Sequence, residues 1–175
     1  MPRSVGKRGI SLSELLIILG VTALFATVVL LNFARTVQGS KEEVLREQVG
    51  LLREALDLYR ADHGFYPCDT AKDWNRDGDP EIFVRQLLEY TDSTGAPSPD
   101  RSGDHRYGPY LRKWPVEPFS RSAALRIDAG NKSIFARMAE RVALGNGEGG
   151  WHYEPRSGNI CANLGRAYPT ELAHF

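Results

Sequence analysis

Glu14 is the one ionisable side chain between Arg8 and Arg35, and it sits inside the run SLSELLIILGVTALFATVVLL. A carboxylate near the start of an apolar span costs about 2–3 kcal/mol on insertion scales, less near the interface, and such groups are held by a partner. The run contains no cation to act as one. A second set of oxygen donors lies in DWNRDGDPE, where Asp73, Asn75 and Asp77 alternate ahead of Gly78. Donors on alternate residues let one loop wrap a hard cation, and the glycine permits the sharp turn, so calcium is a candidate ligand here. The bidentate acid wanted at the twelfth place is Val84, which leaves Asp79 and Glu81 to complete the set. The plain alternative is an acidic, solvated turn feeding a helix. Elsewhere, His63, His105, His152 and His174 have no metal-ligand spacing, no G-x-S-x-G elbow occurs, and GNGEGG lacks the lysine of a phosphate loop. No enzymatic activity is expected.

The element that must position Glu14 is a membrane span. Leu15 to Leu31 carries no charge, with Gly20, Thr22 and Thr27 its only members outside the strongly apolar set. At ~1.5 Å per residue, ~20 such residues cross a ~30 Å hydrocarbon core. Lys7 and Arg8 flank the run on its N-terminal side, so the positive-inside rule sets the N-terminus in the cytoplasm and everything beyond about residue 36 on the far side. A cleaved secretory signal fits less well. The run is longer than an h-region of ~7 to 15 residues, and Leu31 occupies the place where a small residue would precede a cut after Ala34.

The stretch KRGISLSE resembles the leader of type IV pilins and of the pseudopilins of type II secretion: a short basic segment ending in glycine, a hydrophobic residue, then glutamate at the fifth place after the cut. The resemblance implies that a prepilin peptidase cleaves between Gly9 and Ile10 on the cytoplasmic side and methylates the new amine of Ile10. It also gives Glu14 its partner: the Ile10 amine of a neighbouring subunit, met as apolar helices pack. Two charges that are costly alone become tolerable as a pair. An intramolecular pair one helical turn apart is the alternative. Where the family pattern continues GFTLIELL, this chain has Ile10, Ser11 and Ser13; the glycine and the glutamate are kept.

Beyond the span no proline interrupts the chain until Pro67, and Leu45, Val49, Leu52, Leu56 and Tyr59 recur at spacings of four and three. An amphipathic helix is expected to continue from the span, with Val44, Leu51 and Leu58 widening its apolar stripe, and to stop at Gly64. DPEIFVRQLLEYTD predicts a short amphipathic helix with Ile82, Phe83, Leu87 and Tyr90 inward. DSTGAPSPDRSGDH reads as a loop, SAALRIDAG as a strand, and SIFARMAERVAL as helix or strand. In GGWHYEPRSGNICAN, Trp151 and Tyr153 alternate, Pro155 to Gly158 turn, and Ile160 begins a return strand. ALDLYRADHGFYP, YGPYLRKWPVEPFS and this hairpin are similar to the corresponding pilin-like segments. Major pseudopilins also bind calcium through a Gly-Ala-Asp-Gly loop, which this chain lacks.

The expected fold is therefore α+β and pilin-like, with a long N-terminal helix packed on a small antiparallel sheet. Its parts are a leader (1–9, removed), a transmembrane and assembly helix (10–34), the amphipathic half of that helix (35–66) and a periplasmic head (67–175). Cys68 and Cys161 are the only cysteines, and in an oxidising compartment an even pair suggests a disulfide. With 22 basic and 22 acidic residues there is no polybasic character to point to nucleic acid. Tyr107, Tyr110, Trp114 and Phe119 interleave with arginines and a lysine, which could stack single-stranded DNA, but core packing is the commoner use and nucleic acid is not an expected partner. The resemblance implies a structural subunit of a type II secretion pseudopilus in the inner membrane. Its partners would be further copies of itself, the peptidase, and an inner-membrane assembly platform with its ATPase. A major or minor type IV pilus subunit is the nearest alternative, and an uncleaved membrane-anchored binding module the alternative from another class.

Overall fold

The computed structural model describes residues 11–128 and 149–164. The processing positions Gly9 and Ile10, and the helix-or-strand segment 133–144, lie outside the described residues. Contacts divide the chain into two units, residues 1–40 and 41–175.

Helix α1, Leu12–His63, runs for 52 residues because nothing in it breaks a helix. In the first unit Leu12–Leu30 has a mean hydropathy of 2.3 and none of it is buried, which makes it long and apolar enough to cross a membrane. In the second unit Leu45, Val49, Leu52, Leu56 and Tyr59 are each at most 1% exposed and form the spine of the core. The chain leaves α1 at Gly64, whose φ of +78° suits the left-handed cap and whose N–H donates to the Arg60 carbonyl at 2.8 Å. Arg60 occupies the last turn, where its positive charge complements the carbonyl end.

One expectation for α1 is corrected. Val44, Leu51 and Leu58 do not enlarge the buried stripe: they are 41%, 50% and 50% exposed. Their seven-residue spacing drifts only ~20° per repeat, so it carries them down one flank of the helix beside the 4-3 stripe.

Helix α2, Pro80–Leu88, begins with proline at its first position and Asp79 as N-cap, the carboxylate accepting from the N–H groups of Glu81 and Ile82. Phe83 and Leu87 are buried, while Ile82 and Tyr90 are half-buried. Phe83 packs on Tyr153 at 4.6 Å and edge-on to Trp114 at 5.9 Å between ring centres.

Two small sheets complete the head. Strands β1 (Tyr90–Thr91), at the end of the segment predicted as helix, and β2 (Pro97–Ser98), inside the segment read as loop, form an antiparallel pair. Strands β3 (Leu125–Ile127), β4 (Trp151–Glu154) and β5 (Asn159–Ala162) form a sheet in that order, with β4 and β5 the predicted hairpin. This sheet is mixed, correcting the antiparallel expectation, because β3 lies parallel to β4 with Leu125 opposite Trp151. Residues 128–150 separate the two strands, enough chain for the crossover a parallel pair needs. Of the aromatics considered as DNA platforms, Trp114 and Phe119 belong to this core and Tyr110 packs against it. Trp114 and Phe119 are buried, and the indole N–H groups of Trp114 and Trp151 donate to the carbonyls of Ala123 and Pro115. The buried Glu117 carboxylate accepts from the N–H groups of Phe119 and Ser120 and from the Ser120 hydroxyl, fixing the turn between them.

Candidate functional site

The start of α1 supplies an in-chain partner for Glu14. The Ser11 hydroxyl accepts from the Glu14 N–H at 3.2 Å, while Glu14 Oε2 accepts from the Ser11 N–H at 3.0 Å and from its hydroxyl at 3.1 Å. This is a reciprocal capping box, in which residues three apart satisfy each other's orphan groups at a helix N-terminus. The S-x-x-E signal was present in SLSE; attention to cations alone passes over it. The described bonds use Oε2, which leaves Oε1 turned to nothing the box requires. A carboxylate held this way is fixed in direction within the first turn of an apolar helix.

The acidic segment 73–81 is not a cation cage. Its residues point to different tasks. Asn75 is buried, its Oδ1 accepting from the Asp79 N–H at 2.9 Å and its Nδ2 donating to the Asp79 carbonyl at 2.8 Å. Asp79 is spent on the α2 cap, and Asp77 and Glu81 are exposed. Asp73 is turned fully into the protein, so the five candidates Asp73, Asn75, Asp77, Asp79 and Glu81 do not converge. Among the described residues no group of three or more His, Cys, Asp and Glu is placed to hold a metal ion.

Asp73 is the unexpected residue. Its carboxylate accepts from Gln86 Nε2 at 2.8 and 3.0 Å, from the Tyr59 hydroxyl at 3.3 Å and from the Cys68 N–H. Gln86 and Tyr59 are themselves buried, and Gln86 Nε2 also donates to the Gly95 carbonyl at 2.9 Å. The cluster thus ties α1, the loop after it, α2 and the turn at Gly95 to one carboxylate. Gly95 is required there: its φ is +87°, and a Cβ would stand 2.3 Å from both Asp73 Oδ1 and the Tyr59 hydroxyl. Burial raises the pKa of Asp73 above the usual carboxylate value, and its hydrogen bonds oppose the rise without cancelling it. No sequence pattern marks this role, since it rests on tertiary partners far along the chain.

The expected disulfide is not formed: Cys68 and Cys161 are both buried free thiols. Strand alternation sets Cys161 opposite His152, on the reverse of the face that carries Ile160 and Tyr153. The Cys68 thiol instead accepts from Asn75 Nδ2 at 3.3 Å, in the surroundings of Asp73. Burial pushes the Cys161 thiol up to about 12 and raises that of Cys68 as well, so neither is a ready nucleophile.

Two charged surfaces of the second unit have opposite sign. Along the exposed flank of α1, Glu43, Glu47 and Glu54 border a groove opened by Gly50 and floored by Leu51, with Arg46 the one cation in its lining. At the other end of the unit, Arg60 from the last turn of α1, Lys72 from the following loop and Arg156 from the β4–β5 turn line a crevice of about 330 Å³, in which Asp69 is the one acid. Asp69 Oδ1 is already engaged by the N–H groups of Ala71 and Lys72. Arg60 is pre-oriented, stacking on Tyr66 at 4.8 Å and donating to the Tyr66 hydroxyl at 3.2 Å. Glu43, Glu47 and Glu54 on the one surface and Arg60, Lys72 and Arg156 on the other are all exposed, while Asp69 is half-buried.

No family model matches the chain, and no curated protein or solved structure matches it either.

Proposed function

We propose that the chain is a filament subunit of the type IV pilin and pseudopilin class, acting in a type II secretion pseudopilus that drives folded proteins outward. The observation that carries the reading is the unbroken helix α1: one element is strongly apolar and unburied over Leu12–Leu30, with Glu14 its one charged residue, then presents a fully buried stripe over Leu45–Tyr59. A span continuous with the spine of a head is the form required of a subunit that rests in a membrane and is then drawn out of it into a bundle of like helices. The leader KRG and the carboxylate at Glu14 give the chain the two parts the route needs, a cut that frees an amine and an acid to receive it. On this reading the head is pilin-like, stands outside the inner membrane with the N-terminus in the cytoplasm, and works without catalysis.

The capping box is compatible with the cut. Ser11 lies beyond the Gly9–Ile10 bond and so remains with Glu14 in the mature chain, holding the carboxylate in place as the free amine arrives. A Gly9→Val chain tests the route. It is expected to insert normally, keep its leader and stay out of filaments, while the parent is cut and assembles; equal assembly of the uncut variant contradicts the proposal.

A further inference from the structure

We infer that neighbouring copies are joined outside the membrane by a charged contact in which the acidic flank of α1 on one copy, Glu43, Glu47 and Glu54, enters the basic crevice of the next, Arg60, Lys72 and Arg156. The inference rests on the filament reading above and names the head surfaces that serve it.

The two surfaces match in sign and in magnitude. Three acids with one cation line the groove, and three cations with one acid line the crevice, a formal −2 against +2. The acidic flank also carries the exposed Val44, Leu51 and Leu58, apolar area that a docked neighbour would remove from water. In the crevice, neither Lys72 nor Arg156 has an ion-pair partner among the described residues. Arg60 is held by Tyr66 with most of its donors uncommitted, an arrangement suited to carboxylates.

Their placement decides the kind of assembly. Glu47 and Glu54 precede Arg60 by 13 and 6 residues on one helix. At ~1.5 Å and ~100° per residue, and with Glu43 17 residues before Arg60, that sets the acidic flank ~9–26 Å lower along α1 than Arg60 and ~100–140° around it. Copies carrying one span each stand parallel in a bilayer. In a parallel pair the height difference prevents both contacts from forming at once between the same two copies. The contact is heterologous and leaves a free surface of each sign at the ends, so it propagates with a stagger of ~9–26 Å per copy instead of closing into a dimer.

Charge reversal with rescue tests this in the full chain, expressed with its assembly proteins and read as sheared or cross-linked multimers. Glu47→Lys with Glu54→Lys, and separately Lys72→Glu with Arg156→Glu, are each expected to lower multimers about tenfold or more, and all four together to restore most of the loss. Since the positions are exposed, melting of the head is expected to stay within about 2 °C of the parent. Full assembly by both reversed chains, or no recovery on combining them, overturns the contact. Leader removal and parent multimers, followed in the same cells, separate the two readings: a parent that is cut and assembles while the reversals have no effect leaves the filament standing and removes this contact, and a parent that never assembles removes both.

Discussion

A carboxylate deep in the head and a carboxylate at the start of the span have opposite surroundings, and each yields a prediction. Asp73 is buried among neutral donors, so its folded pKa lies above the unfolded value of about 3.9. The native state then binds more protons than the unfolded chain between those two values. The stabilisation from this group is fully present below about pH 4 and is lost as pH rises through the raised pKa. Urea titrations of the head across that range are expected to give a falling contribution in the parent that Asp73→Asn removes; a contribution from Asp73 that grows with pH contradicts this. Asp73→Ala is a harsher change, since it orphans the Cys68 N–H and the Tyr59 hydroxyl, and should cost about 2–4 kcal/mol. At the other carboxylate, Glu14→Ala removes half of the capping box, about 1 kcal/mol at the helix start. On the filament reading it leaves insertion and leader removal intact and impairs assembly, which membrane fractionation and multimer yield would distinguish. The S-x-x-E box was legible from four adjacent residues, whereas the role of Asp73 depends on Tyr59, 14 residues before it, and Gln86, 13 after it, a tertiary coincidence that no local pattern records.

At the scale of elements, adjacent leucines separate the two faces of α1. Leu52 is 0% exposed and Leu51 50%. Leu52→Ala should therefore cost about 2–5 kcal/mol through lost burial and a cavity, and Leu51→Ala less than about 1 kcal/mol, as seen by thermal melting of the two variants. Equal losses would mean that the exposed flank is packed within the subunit. The 4-3 stripe, the Gly64 stop, α2 and the β4–β5 hairpin were readable in advance because helix period, caps and two-strand turns are local. The parallel pairing of β3 with β4 was not, since register across a crossover is set by packing and not by the intervening residues. Val44, Leu51 and Leu58 widen the apolar stripe in sequence and yet stay exposed for a related reason: only the surrounding head decides where the burial boundary crosses an apolar stripe.

At the scale of the molecule, one long helix joins a stretch long and apolar enough to cross a membrane to the core of a head. Leu12–Leu30 is unburied among the described residues, and Leu45–Tyr59 is the spine of a small α+β head. The head owes its order to that spine, to the Asp73 cluster and to a buried Glu117 turn, and Cys68 and Cys161 remain thiols within it. Intact mass under denaturing conditions, with and without thiol alkylation, should find two alkylatable cysteines in the extracted protein; a chain two hydrogen atoms lighter that resists alkylation would restore the disulfide. The most direct test of the central claim is the N-terminal residue and intact mass of the protein taken from native membranes. The account predicts a chain beginning at methylated Ile10 with residues 1–9 gone. A chain that retains Met1, or one that begins near Arg35, contradicts it.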